Sequence, residues 1–192
     1  MTHRLKLMIA GIAAFGMTGV AHAQSVASSQ IDINSTVIGA CGLGTPDVTL
    51  IDLGDLTGPN GLLDPSKKVT TTLGTATISN AWCNTSHRLT IEGQPMTLQR
   101  TVPYAQPTYM TRHVTFDAKL VGWSAGVNFR PRGGADQASV DFSEARAAPA
   151  PGLRLNISNL ETLTAARLEQ AGLMLEHGTY LGTIKITLAP TS

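Results

Sequence analysis

Gly178-Thr-Tyr180-Leu-Gly-Thr-Ile184-Lys-Ile186-Thr-Leu188, near the C-terminus, alternates with a period of two. Tyr180, Ile184, Ile186 and Leu188 fall on one side of an extended chain, and Thr183, Lys185 and Thr187 fall on the other. Such a pattern predicts a strand with one face against a core and one in water. The same period recurs upstream. His113-Val-Thr-Phe-Asp-Ala-Lys-Leu-Val-Gly-Trp123 places Val114, Phe116, Ala118 and Leu120 together, and Leu153-Arg-Leu155-Asn-Ile157 alternates again.

Shorter segments fill the intervals. Ile31 to Val37 predicts an opening strand that runs into Cys41, and Val48 to Gly54 predicts a second. Lys68 to Asn80 is rich in β-branched residues and predicts strand with a bend at Gly74. Arg88 to Glu92 predicts another strand, stopped by Gly93-Gln-Pro95. Met96 to Met110, interrupted by Pro103 and Pro107, predicts a loop with a short strand in it. Ala125 to Arg130 and Ser139 to Phe142 predict two further strands. Leu160 to Leu175 differs, because Leu160, Leu163, Leu168 and Leu175 approach a helical stripe and Glu161, Ala165 and Ala166 favour helix. A short helix or turn crossing between sheets is expected there. Many short strands at roughly ten-residue spacing, punctuated by turns, predict an all-β sandwich.

The N-terminus carries an export pattern. Arg4 and Lys6 precede the apolar, small-residue run Leu7 to Val20, and Ala21-His22-Ala23 fits a small-x-small cleavage site. Residues 1–23 are therefore expected to be a secretory signal, leaving 24–192 as one domain. In an oxidising space the only two cysteines, Cys41 and Cys83, most economically form one disulfide; two buried free thiols are the alternative. Removing Arg4 and Lys6 from the 14 Lys and Arg leaves 12 against 13 Asp and Glu. A balance this close to neutral offers no electrostatic footprint for nucleic acid or anionic lipid. Only 14% of the residues are charged, against a typical quarter. No apolar run after Val20 approaches the ~18 residues that a membrane span needs.

Four groups of residues resemble one family. Gln30-Ile-Asp-Ile-Asn-Ser-Thr-Val-Ile-Gly-Ala-Cys41 resembles the opening strand of spore coat protein U-like domains, the subunits of archaic chaperone–usher pili. Leu53-Gly-Asp-Leu56 stands where that family has a short strand followed by Gly. Ile78-Ser-Asn-Ala-Trp-Cys83-Asn-Thr, with Leu89 to Gly93, resembles its second cysteine strand and the strand after it. Gly178 to Leu188 resembles its terminal strand. The resemblance covers both ends of the mature chain and both cysteines; Met96 to Gly152 matches loosely.

What the resemblance implies is an immunoglobulin-like antiparallel β-sandwich that lacks one strand. A periplasmic chaperone would fill the gap first, and the N-terminal strand of another subunit would replace it at an outer-membrane usher. The physics is β-augmentation, main-chain hydrogen bonds plus alternate side chains seated in a groove. Tyr180, Ile184, Ile186 and Leu188 would border the groove. The donor would be residues 24–33, with Val26, Ile31 and Ile33 as its apolar anchors. The product would be a non-enzymatic fibre subunit, passing through the periplasm to the cell surface.

Other chemistry is poorly supported. His87, His113 and His177 lack a second ligand at i+2 or i+4, so no metal site is expected and surface or strand-end positions are their default. Asp47, Asp52, Asp55, Asn60 and Asp64 form an oxygen-rich stretch that fits no calcium loop, and turn chemistry accounts for it. No nucleophile–base constellation or phosphate-cradling glycine loop is present, so neither catalytic residues nor a cofactor are expected. Trp82 is expected to pack on the disulfide and Trp123 in the core or at a strand end. A second function class is a self-complete secreted sandwich that binds carbohydrate or another matrix component.

Overall fold

The computed structural model describes residues 34–123, 125–133 and 136–191. Asn34, Ser35 and Thr36 fall in a separate unit from Val37–Ser192 and carry no regular structure. In chain order the second unit forms β1 (Cys41–Gly42), β2 (Gly74–Ile78), β3 (Trp82–Cys83), β4 (His87–Leu98), β5 (Met110–Thr111) and β6 (His113–Val121). There follow β7 (Val127–Phe129), β8 (Asp136–Phe142), β9 (Arg146–Ala147), β10 (Leu153–Leu163), β11 (Met174–Leu175) and β12 (Tyr180–Pro190).

β4 joins two layers. β12 pairs antiparallel with its whole length, from Tyr180 opposite Leu98 to Pro190 opposite His87. On its other edge β8 pairs with it from His87 to Gly93. Beyond Gly93 the strand changes partner, and Met96 and Thr97 pair with Val114 and His113 of β6. β6 in turn pairs with β10 and β7, and β10 with β2. One layer is thus β12-β4-β8 and the other β2-β10-β6-β7, with β4 bending between them. Leu89 and Ile91 from the first layer share one core with Phe116, Leu120, Phe129, Leu155 and Ile157 from the second. The chain is an antiparallel β-sandwich with one disulfide, the class that the alternation predicts.

The bend explains why β4 outruns its expected stop. Between Leu181 and Thr183 of β12 the register shifts, so that β4 carries an extra residue around Pro95. A bulge is where a strand tolerates proline, because the missing N–H costs no ladder bond there. Gly93 is required at the turn: a Cβ on it would lie 2.2 Å from the Thr183 carbonyl oxygen.

Three other expectations are corrected. Val48 to Gly54 is not a strand. Asp52 and Asp55 accept hydrogen bonds from the backbone N–H groups of Gly54 and Thr57, each at 2.8 Å, and these local turns compete with strand pairing. Ile51 and Leu53 still pack against the core from this loop. Upstream of Gly74, Lys68 to Leu73 is also not strand. Leu160 to Leu175 forms no helix. β10 continues through Leu163 past a bulge at Asn159 (φ 49°), and the chain returns as a hairpin in which Gln170 N–H donates to Thr162 O at 3.0 Å. Leu160 and Leu163 are fully buried as strand residues: Leu160 lies within the bulge and joins the main core, and Leu163 lies beyond it.

His87 begins β4, a strand-end position as expected, but it is fully buried and not on the surface. Its Nδ1 lies 2.9 Å from Thr85 O, and Trp123 Nε1–H donates to its Nε2 at 3.0 Å. That network assigns the neutral tautomer with the proton on Nδ1. Phe142 stacks on the ring at a centroid distance of 5.0 Å.

Candidate functional site: the outer edge of the last strand

The disulfide sets one end of the sandwich. Cys41 and Cys83 are directly opposite each other in the β1–β3 pair and are bonded, with Cα atoms 4.1 Å apart. Asn84 holds the chain that leads into it: its amide donates to Ile38 O at 3.0 Å and its carbonyl oxygen accepts from Ala40 N–H at 2.6 Å. Trp82 faces Gly42 across the pair, and a Cβ on Gly42 would strike its indole at 2.4 Å. Trp82 therefore covers the strand beside the disulfide while keeping 42% of its surface exposed. β1 lies close to β12 here, and Ser86 Oγ–H donates to Thr191 O at 2.9 Å.

Along the rest of β12 only one edge is used. Its pairing with β4 is continuous apart from the bulge, and among the described residues no strand pairs with its opposite edge. The side chains report the same asymmetry. Leu188 and Ile186 stand opposite Leu89 and Ile91, which are fully buried at 0% exposure. Ile184, Ile186 and Leu188 point inward and touch the core, yet each is only partly buried. Burial falls away across a single strand spacing. On the outer face Lys185 pairs with Glu92 at 2.5 Å.

Of the four groove-border residues expected from the sequence, Tyr180 has a different environment. Its single O–H is shared between two carbonyl oxygens, Glu176 O at 2.8 Å and Thr111 O at 3.0 Å, pinning the start of β12 to the β5–β11 pair. Burial pushes its pKa up to about 12, so it stays a donor throughout the physiological range. Ile184, Ile186 and Leu188 remain as a row along the strand. The donor candidates Val26, Ile31 and Ile33 lie outside the described residues.

A polar cluster that sequence reasoning missed anchors the same end. Glu176 accepts from Arg112 Nε at 2.6 Å, Tyr104 Oη at 2.8 Å and a terminal Arg100 nitrogen at 3.0 Å. These partners cover its carboxylate almost completely. Burial pushes the carboxyl up, but the hydrogen bonds from Arg112 and Tyr104 and the two guanidinium charges outweigh it, leaving the pKa below its ordinary value. Arg100, Arg112 and Glu176 are too far apart in the chain for spacing to have linked them. Nearby, His113 is lowered to about 4, chiefly by burial and then by the charges of Arg167 and Arg112.

The oxygen-rich stretch is occupied with turns. Asp64 accepts from Ser66 N–H at 2.8 Å, as Asp52 and Asp55 do for their own turns, whereas Asp47 accepts from Thr77 N–H at 2.6 Å and docks the loop on β2. Among the described residues no group of three His, Cys, Asp or Glu is placed to hold a metal ion.

What the β12 edge can do is donate and accept main-chain hydrogen bonds while a partner's alternate side chains cover Ile184, Ile186 and Leu188. Set against family models, curated proteins and solved structures, the chain matches none of them.

Proposed function

We propose that the chain is a non-enzymatic structural subunit of a surface fibre, completed by a strand from another subunit. One observation carries the reading: β12 has an unpaired outer edge among the described residues, with Ile184, Ile186 and Leu188 half-covered above a closed core. An exposed edge of eleven residues invites pairing, and proteins that keep such edges single usually blunt them. Lys185, the one charge on the strand, is already paired with Glu92.

The sequence supplies a matching donor. Ile31 and Ile33 alternate as β-augmentation requires, and Val26 precedes them. The export pattern and the resemblance to spore coat protein U-like domains support the same reading: an incomplete immunoglobulin-like sandwich, escorted by a periplasmic chaperone and assembled through an outer-membrane usher. Replacing Ile184 or Ile186 by Asp puts a charge on the groove border. Chaperone capture and secretion, followed by pull-down from periplasmic extracts, should then fail; unchanged secretion sinks the assignment of β12.

A further inference from the structure

The outward face of the β2-β10-β6-β7 layer carries a second regularity. Thr75 is in register with Asn156, Asn156 with Lys119, and Lys119 with Asn128. One polar side chain from each of four adjacent strands therefore stands in a single row across the sheet. Their chain neighbours Ala76, Leu155, Ile157, Ala118, Leu120, Val127 and Phe129 point into the core, so these four point away from it. At strand spacings of about 4.8 Å the row is about 14 Å long. None of the four side chains makes a hydrogen bond among the described residues, although the sheet around them is rich in such bonds.

This face carries both signs of charge, but its free charges are cationic. Lys119 and Arg154 are exposed and form no ion pair among the described residues. Two carboxylates border them and both are committed: Asp117 to Arg130 and to the Asn159 amide, the latter at 2.8 Å, and Asp47 to the Thr77 N–H at 2.6 Å. Arg130 also binds Glu169 at 2.8 Å, so this network is neutralised and closes one end of the face. Beside the row a depression of about 330 Å³ is lined by Lys119, Asn128, Arg130, Ser158 and Asp117, the last held by Arg130.

We infer that this face binds an extended acidic polysaccharide, a chain containing uronic acids. Amide and hydroxyl groups in a row at strand spacing match sugar hydroxyls presented at each unit of an extended glycan. The two uncommitted cations match its carboxylates, through charge-assisted hydrogen bonds. The layer lies on the other side of the sandwich from β12, so the face stays available whether or not the β12 edge is paired.

The test is affinity electrophoresis of the full chain, purified after export, in gels containing polygalacturonate or neutral dextran. Retardation by polygalacturonate and not by dextran is expected, weakening as salt is raised. A Lys119→Gln/Arg154→Gln variant should bind at least tenfold more weakly. Asn156→Ala, which changes no charge, should lose about threefold or more. Lys185→Gln, on the other layer, should bind like the parent chain. No retardation by polygalacturonate, equal retardation by dextran, or an equal loss in Lys185→Gln overturns the proposal. Binding by the parent chain that survives high salt undiminished overturns it as well, independently of any variant.

Discussion

Ile186 and Ile91 face each other across β12 and β4, yet Ile91 is fully buried and Ile186 is not. Two identical side chains in one register differ only in what stands on their far side. Ile91 has β8 beyond it, where Ala138 is its register partner. Ile186 has no strand beyond it among the described residues.

That difference has an energetic consequence. Ile91→Ala should cost about 2–5 kcal/mol, the range for a fully packed aliphatic side chain. Ile186→Ala in the unpaired chain should cost clearly less, roughly 1 kcal/mol, since part of its surface is already in water. Urea unfolding of both variants reads the gap. Equal costs would mean that the β12 edge is covered in the isolated chain.

A donor peptide should close the gap. Residues 24–37 as a synthetic peptide, at a hundredfold excess over Kd, stabilise the chain by about 2.7 kcal/mol through mass action. For a domain of this size that corresponds to a Tm rise of roughly 5–10 °C. The same peptide with Ile31 and Ile33 replaced by Asp should give none. A flat melting curve with the unmodified peptide counts against the donor assignment.

Inside the core, Trp123→Phe removes the indole N–H that His87 Nε2 accepts, leaving a buried acceptor unpaired. The expected loss is about 1–3 kcal/mol by denaturant unfolding. His87→Ala should cost more, because it also opens a cavity against Phe142 and orphans the indole.

Stability should fall in mild acid through His113. Its folded pKa of about 4 lies below the ordinary 6.5, so between these values the unfolded chain binds more protons than the folded one. The contribution is complete above pH 6.5 and is lost as pH falls toward 4. The ring is half-exposed, and after solvent screening the loss should be about 1 kcal/mol. His113→Gln should flatten this part of the pH profile. Glu176, whose folded pKa is lowered, adds a separate loss at lower pH, as its carboxyl becomes protonated.

Reduction of the Cys41–Cys83 bond, or its replacement by two serines, should cost roughly 4 kcal/mol in the chain-entropy model for a separation of 42 residues. Unfolding under reducing and oxidising conditions checks this, and coincident midpoints would contradict it.

The parts of the fold legible in the sequence were those governed by the period of two. β12, β6 and the start of β10 stand where alternation placed them. β7 lies within the strand expected at Ala125 to Arg130, and β8 contains the one expected at Ser139 to Phe142 but begins earlier, at Asp136. The cysteine pairing followed from there being only two. What stayed hidden depends on partners distant in the chain. Ile51 and Leu53 reach the core from a loop, because Asp52 and Asp55 divert their backbone into turns. The leucines of β10 mimic a helical stripe because a bulge at Asn159 breaks their alternation. His87 is buried because Trp123 and Phe142 enclose it, and neither contact has a local signal. The candidate site was half legible: Ile184, Ile186 and Leu188 could be assigned to one face, but alternation reads the same whether the next edge is paired or open. Register decides that.

The oligomeric state of the mature chain, expressed and purified without partners, is the most direct measurement. Light scattering across a range of concentrations reads it. Donor-strand assembly requires a concentration-dependent ladder of open-ended oligomers that collapses when Ile31 and Ile33 are replaced by Asp. A single monomeric species at every concentration, equally stable with and without those replacements, would contradict it.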